Sequence, residues 1–341
     1  MNNQSYLTAG LFTTALRWVV GWTYFSAFWR RLILENKLNP EEAGYIGEKF
    51  NHFLPNALGI KPLIEYLVSN PEVLWWAMAV FTIVEGIVGL LLILGLFTRL
   101  MSIGVFLLAL GILLGSGWIG TTCLDEWQIG VLGIASGFIL FLSGGGKYAI
   151  DGYWISRNKK RIHSKWFQWL GSAALPLRTP VLNTIVLSGS LAIFGLTLFT
   201  NQYFHGGVYG KLHNKSVRPE LAISSPNVSD TTFSFVLSRI EGADVYGSFL
   251  IGIKLTDENG VVVFEKNQTD LSQLKATQIN NAYVAKIKPG KHSLILPLGA
   301  SATLSFQDQL FRKLSGNYTL ELTDISGLQW KKAFEIRSAT W

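Results

Sequence analysis

Apolar and polar positions divide this chain into two regions of different grain. Up to residue 200 the apolar residues come in long blocks, at 8 to 29, 73 to 97, 100 to 119, 127 to 142 and 181 to 200. Each block is close to the roughly 20 residues that an α-helix, rising about 1.5 Å per residue, needs to cross about 30 Å of hydrocarbon. Five transmembrane helices are therefore predicted, the first four forming a bundle. Beyond 201 the pattern shortens to TTFSFVLSRI (231 to 240), YGSFLIGIKLTD (246 to 257), GVVVFEKN (260 to 267), KHSLILPLG (291 to 299), GNYTLELTD (316 to 324) and LQWKKAFEI (328 to 336). These pieces are β-branched or aromatic, often alternating, and separated by Gly, Asn, Asp or Pro, the pattern of a small β-sandwich. The predicted fold is a membrane α-helical bundle of four helices plus a fifth transmembrane helix, followed by a C-terminal all-β, sandwich-like domain. Its boundaries fall at 1–160 for the four-helix domain, 161–180 for a basic interfacial linker, 181–200 for the fifth helix and 201–341 for the β domain.

The polar stretches between blocks carry their own information. Residues 32 to 72, punctuated by Pro40, Pro55, Pro62 and Pro71, are longer than a connector needs and read as an extramembrane loop able to cover a site on one membrane face. Composition agrees with a membrane protein: 49% of the 341 residues are hydrophobic, 15% are charged, twelve are Trp, and mean hydropathy is +0.31. The net charge of +7 does not imply a nucleic-acid partner, because the densest basic run, Arg157 to Lys165, directly follows a membrane block and acts as a topology signal. Placing that run in the cytoplasm puts the chain start inside, and the 30 to 72 loop, residues 121 to 128 and everything after 201 outside.

Redox chemistry is narrowed by what is missing. One cysteine excludes an internal disulfide framework, a CxxC pair, a haem-attaching CxxCH and a four-Cys cluster. The five His have no metal-ligand spacing, so no metal site is predicted. Gly115, Gly117 and Gly120 spell GxGxxG but close an apolar helix, and Gly144 to Lys147 lack the rest of a phosphate loop; neither is a nucleotide site. Any redox reaction must borrow a mobile cofactor or use Cys123.

Candidate chemistry concentrates in TTCLDEWQ (121 to 128), where Cys123, Asp125, Glu126 and Trp127 stand at the start of the fourth helix. Thr122 and Asp125 make a capping-box-like start with Cys123 in the first turn, where helix amides favour a thiolate and the neighbouring carboxylates oppose it. A packing role for the thiol and a cap role for Asp125 stand beside the chemical reading. Arg30 and Arg31 offer paired guanidinium forks for an oxyanion or simply snorkel at the interface. Arg17 and Glu85 lie inside apolar helices and by default face the bundle interior. Counting about 1.5 Å per residue places them near 13 and 18 Å from one face, close enough to pair, either as a structural ion pair or on a proton path. Trp22 and Trp127, among many aromatics, suit a quinone ring or an interfacial belt, and His52 is the one histidine near the proposed site.

The runs GWTYFSAFWRR (21 to 31), KFNHFLPNALGIKPLIEYL (49 to 67), Glu85 with GLLLILGLFTRL (89 to 100) and GTTCLDEWQIG (120 to 130) resemble the DoxD subunit of thiosulfate:quinone oxidoreductase, within the wider DoxX-like four-helix family. The part after the fifth helix resembles the DoxA subunit, so the chain looks like a natural DoxD–DoxA fusion. The resemblance implies an enzyme of a prokaryotic inner membrane, multi-pass with its C-terminal domain extracytoplasmic, that joins two thiosulfates to tetrathionate while a membrane quinone takes two electrons. Set against that reaction, the residues of this sequence are assigned as Arg30, Arg31 and His52 around thiosulfate, Cys123, Asp125 and Glu126 at the chemistry, and Glu85, Arg17, Trp22 and Trp127 around the quinone. The partners would be thiosulfate, quinone and the lipid bilayer, with homo-oligomerisation left open. Two other classes stay open: a non-catalytic scaffold that recruits an oxidase or a sulfur-compound carrier, and a transporter of sulfur oxyanions.

Overall fold

The protein is described by a computed structural model covering residues 3–42, 44–120, 125–157, 164–243 and 248–336. It divides into two compact units, Met1–Ile46 with Glu72–Asn214, and Gly47–Pro71 with Lys215–Trp341.

The first unit is helical. Among the described residues, four of its helices are long and apolar enough to cross a membrane: α5 (Pro71–Leu94), α6 (Thr98–Ser116), α7 (Asp125–Ser143) and α10 (Thr179–His205). The first apolar block is built differently from the single straight span expected of it. It breaks into α1 (Asn3–Phe12) and α2 (Thr14–Phe28), and α2 continues as a π-helical turn, Trp29–Leu34. Side chains compete with the helix ladder at the break: the Thr13 hydroxyl faces the carbonyls of Ala9 and Gly10 at 3.4 and 3.3 Å and the Ser143 hydroxyl at 3.0 Å, and Thr14 Oγ1 donates to Gly10 O at 3.0 Å. Close packing fixes the position, since a Cβ on Gly10 would lie 2.2 Å from the Gly146 backbone nitrogen.

Glycine also sets how tightly α2 meets α5. A Cβ on Gly89 would fall 2.4 Å from Phe25 N and 2.6 Å from Gly21 O, so the α5 backbone at Gly89 touches the α2 backbone from Gly21 to Phe25, small residues being the usual route to close helix crossings in membranes. Short helices α8 (Ile150–Arg157) and α9 (Lys165–Leu170) follow α7. Because α2, α5, α6, α7 and α10 alternate in direction, one end of the bundle collects Thr13, Leu94, Thr98 and Ser143, and the other collects the π-turn, the start of α5, the end of α6, the start of α7 and the end of α10.

The second unit is a two-sheet β domain. Strands β1 (Glu220–Ser229), β2 (Thr232–Glu241), β3 (Ser248–Asp257), β4 (Val262–Asn267), β5 (Ile279–Asn281), β6 (Lys288–Pro289), β7 (Leu294–Leu296), β8 (Ser301–Gln307), β9 (Gly316–Asp324) and β10 (Gln329–Ile336) pair antiparallel throughout. One sheet has the order β1-β2-β8-β5; the other runs β10-β9-β3-β7-β6, with β4 also on β3. Inward positions alternate as the pleat requires, with Phe233, Phe235 and Leu237 of β2 meeting Leu255, Leu304, Phe306, Leu320 and Leu322 in one core.

The 47 to 71 segment belongs to this unit. It folds as α3 (Ile46–Phe53), a 3-10 turn (Leu54–Asn56) and α4 (Lys61–Ser69). Asn51 Oδ1 accepts from Ala285 N at 3.4 Å, Asn56 Nδ2 donates to Ile240 O at 3.1 Å, and the Tyr283 hydroxyl donates to Glu65 at 3.1 Å. A Cβ on Gly299, at φ +76, would lie 2.3 Å from Asn51 O. The long loop of the helical region is thus a docked part of the β domain, packed by its amides into strand ends.

Candidate functional site

Glu85 sits midway along α5 on the face that Met78, Thr82, Gly86 and Gly89 share at helical spacing, and all are buried. Where α2 passes into the wider winding of the π-turn, Arg31 comes out facing α5 and its Nη1 donates to Glu85 Oε2. Side-chain exposure is 19% for Arg31 and 4% for Glu85, so this is an ion pair withdrawn from water. The Arg31 guanidinium also stands 5.9 Å from the Phe81 ring centroid. Tyr24 of α2 and Thr82 of α5 bring a phenol and a hydroxyl to the buried interior of the same bundle. Ionisable groups buried inside a membrane bundle are costly and by default functional, and a carboxylate beside a guanidinium is the set that a proton relay uses.

Two expectations change here. Arg17 does not pair with Glu85: its Nη1 donates to Leu92 O and Ile93 O, both at 2.6 Å, and its Nη2 to Tyr148 O at 2.7 Å. The packing of α2 on α5 sets Gly21 against Gly89 and Ile93, and Phe28 against Gly86, so Arg17, one turn before Gly21, reaches the carbonyl end of α5, where a cation meets the negative end of the dipole. The Arg30 and Arg31 forks do not converge either. Arg30 is exposed and its Nε donates to Ser26 O at 3.3 Å, which leaves it the outward cation of the π-turn. His52 lies on α3 in the second unit, with its ring nitrogens buried.

The aromatic expectations separate. Trp22 is 59% exposed on the outer face of α2 with its ring 6.0 Å from Phe25, a lipid-facing placement. Trp127 turns inward, and its Nε1 donates to Thr200 Oγ1 at 3.0 Å, tying the first turn of α7 to α10. Asp125 and Glu126 occupy that same first turn. Residues 121 to 124, and with them Thr122, Cys123 and the anticipated cap, lie outside the described residues.

What holds the approach to that stretch is visible. Trp118 is wholly buried. His205 Nε2, at the end of α10, donates to Gly117 O at 2.9 Å, and Asn214 Nδ2 donates to Gly120 O at 2.6 Å. The last apolar block predicts a helix that stops at 200, whereas the helix runs on through NQYFH to His205; Asn214 follows in the segment after it, where no sequence pattern marks it.

A second polar cluster, also missed, locks the opposite end of the bundle. The buried Asp151 carboxylate accepts from Phe97 N at 3.0 Å and from Thr98 N and Thr98 Oγ1, both at 2.9 Å, capping α6, and from Ser172 Oγ at 2.7 Å. Buried Arg99 donates to Phe141 O at 2.8 Å and to Gln168 O and Ala173 O, both at 2.6 Å. A charged residue next to an apolar block, followed by an Asp fifty residues later, carries no local signature. The Asp151 carboxylate is filled by backbone and hydroxyl donors and the Arg99 donors go to backbone carbonyls, so the cluster is a structural clasp.

Among solved structures, a chain of the Iho670 flagellar-like filament matches at 10% identity over 48% of this chain and 100% of its own, with a TM-score of 0.23, too low a likeness to carry any argument about fold. The family comparisons are specific. The family described as TQO small subunit DoxD matches residues 12–178, and that described as TQO small subunit DoxA matches residues 204–333. The helical membrane unit with its buried Arg31–Glu85 pair falls in the first match and the antiparallel β domain in the second, so this chain belongs to the TQO small-subunit families, with DoxD and DoxA fused in one polypeptide.

Proposed function

We propose that the chain is a self-sufficient thiosulfate:quinone oxidoreductase of a prokaryotic inner membrane, its β domain on the extracytoplasmic side. The observation that carries this reading is the buried Arg31–Glu85 pair, set near the end of the bundle that also holds Arg30, Asp125 and the approach to Cys123. There, a water-soluble dianion and a lipid-soluble acceptor can both arrive. In the proposed cycle Arg30 attracts thiosulfate through charge-assisted hydrogen bonds. The Cys123 thiolate bonds to the sulfane sulfur of one thiosulfate, and two electrons leave to the quinone, giving Cys–S–S–SO3⁻. A second thiosulfate attacks the same sulfane sulfur, forms tetrathionate and expels the Cys123 thiolate. The two protons that convert quinone to quinol pass through Glu85, which Arg31 holds in place, and through Asp125 or Glu126 at the surface.

The residue-level test uses the intact purified chain. Cys123→Ser is expected to abolish tetrathionate formation, and Arg30→Gln to raise the KM for thiosulfate about tenfold with kcat little changed, the pattern of a lost uniform-binding contact. Full activity in Cys123→Ser would remove the covalent step. A second reading is favoured by the words small subunit in both family descriptions: a membrane scaffold that recruits an oxidase or a sulfur-compound carrier, for which the purified chain alone would show no turnover.

A further inference from the structure

The start of α5 and the segment that follows the π-turn enclose a groove of about 480 Å³ lined by Leu32, Asn36, Asn39, Trp75, Trp76 and Ala79, among others. That volume falls within the roughly 300–1,000 Å³ of small-molecule sites. Resting on the oxidoreductase reading, we propose that this groove seats the head ring of the membrane quinone, outside the Glu85 and Arg17 interior where sequence placed it.

Four features converge on a flat ring with two carbonyl oxygens. Trp75 and Trp76 meet edge to face with centroids 4.9 Å apart, giving an aromatic wall for stacking. Ala79, one turn below them, is small and buried, so the groove has depth where a larger residue would fill it. Asn36 Oδ1 accepts from Leu38 N at 3.3 Å and Asn39 Oδ1 accepts from Glu41 N at 3.2 Å. With both amide oxygens turned to the backbone, each side chain presents its NH2 group, a donor suited to a quinone carbonyl. Finally, the groove opens along α5 onto the exposed apolar residues Val80, Ile83 and Ile87, one helix stripe at spacing 3 to 4 along which an isoprenoid tail can lie in lipid.

The placement also suits the chemistry. Leu32 lines the groove and adjoins Arg31 in the chain, so the ring would sit beside the π-turn that pairs with Glu85. Reduction adds two electrons, drawn from the two thiosulfates, and two protons at the ring oxygens.

The test is photolabelling of the full chain in lipid nanodiscs with an azido-benzoquinone, alongside kinetics with a short-chain quinone. The expected result is label on the α5 peptide and the 32 to 40 segment, displaced by unlabelled quinone and reduced at least fivefold in Ala79→Leu. That variant is expected to raise the quinone KM at least tenfold while leaving the thiosulfate KM within about twofold. Asn36→Ala with Asn39→Ala serves as an independent pair should Ala79→Leu not fold, with the same direction expected. Label confined to other helices, label displaced equally by phospholipid, or a quinone KM unchanged in the folded variants when the wild type turns over would overturn the groove assignment. Quinone-specific label in the groove of a wild type that reduces no quinone would support the seat and sink the oxidoreductase reading instead.

Discussion

Removing one partner of the Arg31–Glu85 pair should harm the fold more than removing both. For unit charges about 4 Å apart, an effective dielectric of about 20 gives ~4 kcal/mol of attraction. Glu85 is 4% exposed and Arg31 19% exposed, so screening by water is slight on the carboxylate side and moderate on the other. Leaving one buried charge without its partner typically costs about 3–5 kcal/mol, whereas replacing the whole pair by apolar residues is often neutral. Glu85→Leu and Arg31→Met singly are each expected to destabilise by about 3 kcal/mol, and the double variant by less than about 1 kcal/mol, a coupling of about 5 kcal/mol or more in the cycle. The assay is reversible denaturation in detergent micelles, followed by helical circular dichroism, with quinone reduction measured on the same samples. Stability should return in the double variant while turnover stays low, because the proton path needs the carboxylate itself. Additive single effects would refute the claim that the pair is energetically coupled, and full turnover in the stable double variant would refute its place in proton delivery.

The corner leading to Cys123 yields a second prediction: His205→Ala with Asn214→Ala frees the carbonyls of Gly117 and Gly120 and should raise the maleimide-labelling rate of Cys123, the sole thiol, severalfold; an unchanged rate would show that these bonds do not brace the corner. Gly89→Leu drives a side chain into the Phe25 backbone and should destabilise by about 1–3 kcal/mol or prevent assembly, read as a lower melting temperature in detergent; an unshifted melting temperature would contradict the close crossing. In the β domain, burial and then the bond to Glu65 raise the Tyr283 phenol above its ordinary range. A raised pKa means that this contribution is whole below the unfolded value of about 10 and fades as pH climbs through the folded value. Proteolysis within 47 to 71 should therefore rise above pH of about 10, and Tyr283→Phe should cleave faster at neutral pH without that step; parallel profiles would deny the contact its role.

Long apolar blocks made the helical region legible, because a hydrophobic run is a local property. The edges were less so. Thr13 broke the first block through hydroxyl-to-carbonyl bonds, and α10 outran its apolar stretch, its final residues Phe204 and His205 being held against Gly117. In the β domain, the strands at 231 to 240, 316 to 324 and 328 to 336 were placed within a residue or two, since their alternation is strong. β1 escaped notice because ELAISSPNVS carries Pro226 and a left-handed Ser225 (φ 50) at a register shift, and β8 because SATLSFQ is made largely of weak strand formers. At the site, residue types were readable and pairings were not. Arg31, Arg17 and Glu85 stood out as charges in apolar surroundings, but which guanidinium meets Glu85 depends on the register of α2 on α5 and on the π-turn, which no spacing announces. The docking of 47 to 71 onto the β domain is likewise a long-range fact, carried by single amides of Asn51 and Asn56.

The most direct test of the account is stoichiometry in one tube. The purified chain, without any added protein, is given thiosulfate and a short-chain benzoquinone or naphthoquinone, and quinol and tetrathionate are measured together. The account predicts one tetrathionate for each quinol and two thiosulfates consumed. A folded preparation that reduces neither quinone, or that forms quinol without tetrathionate, would contradict it.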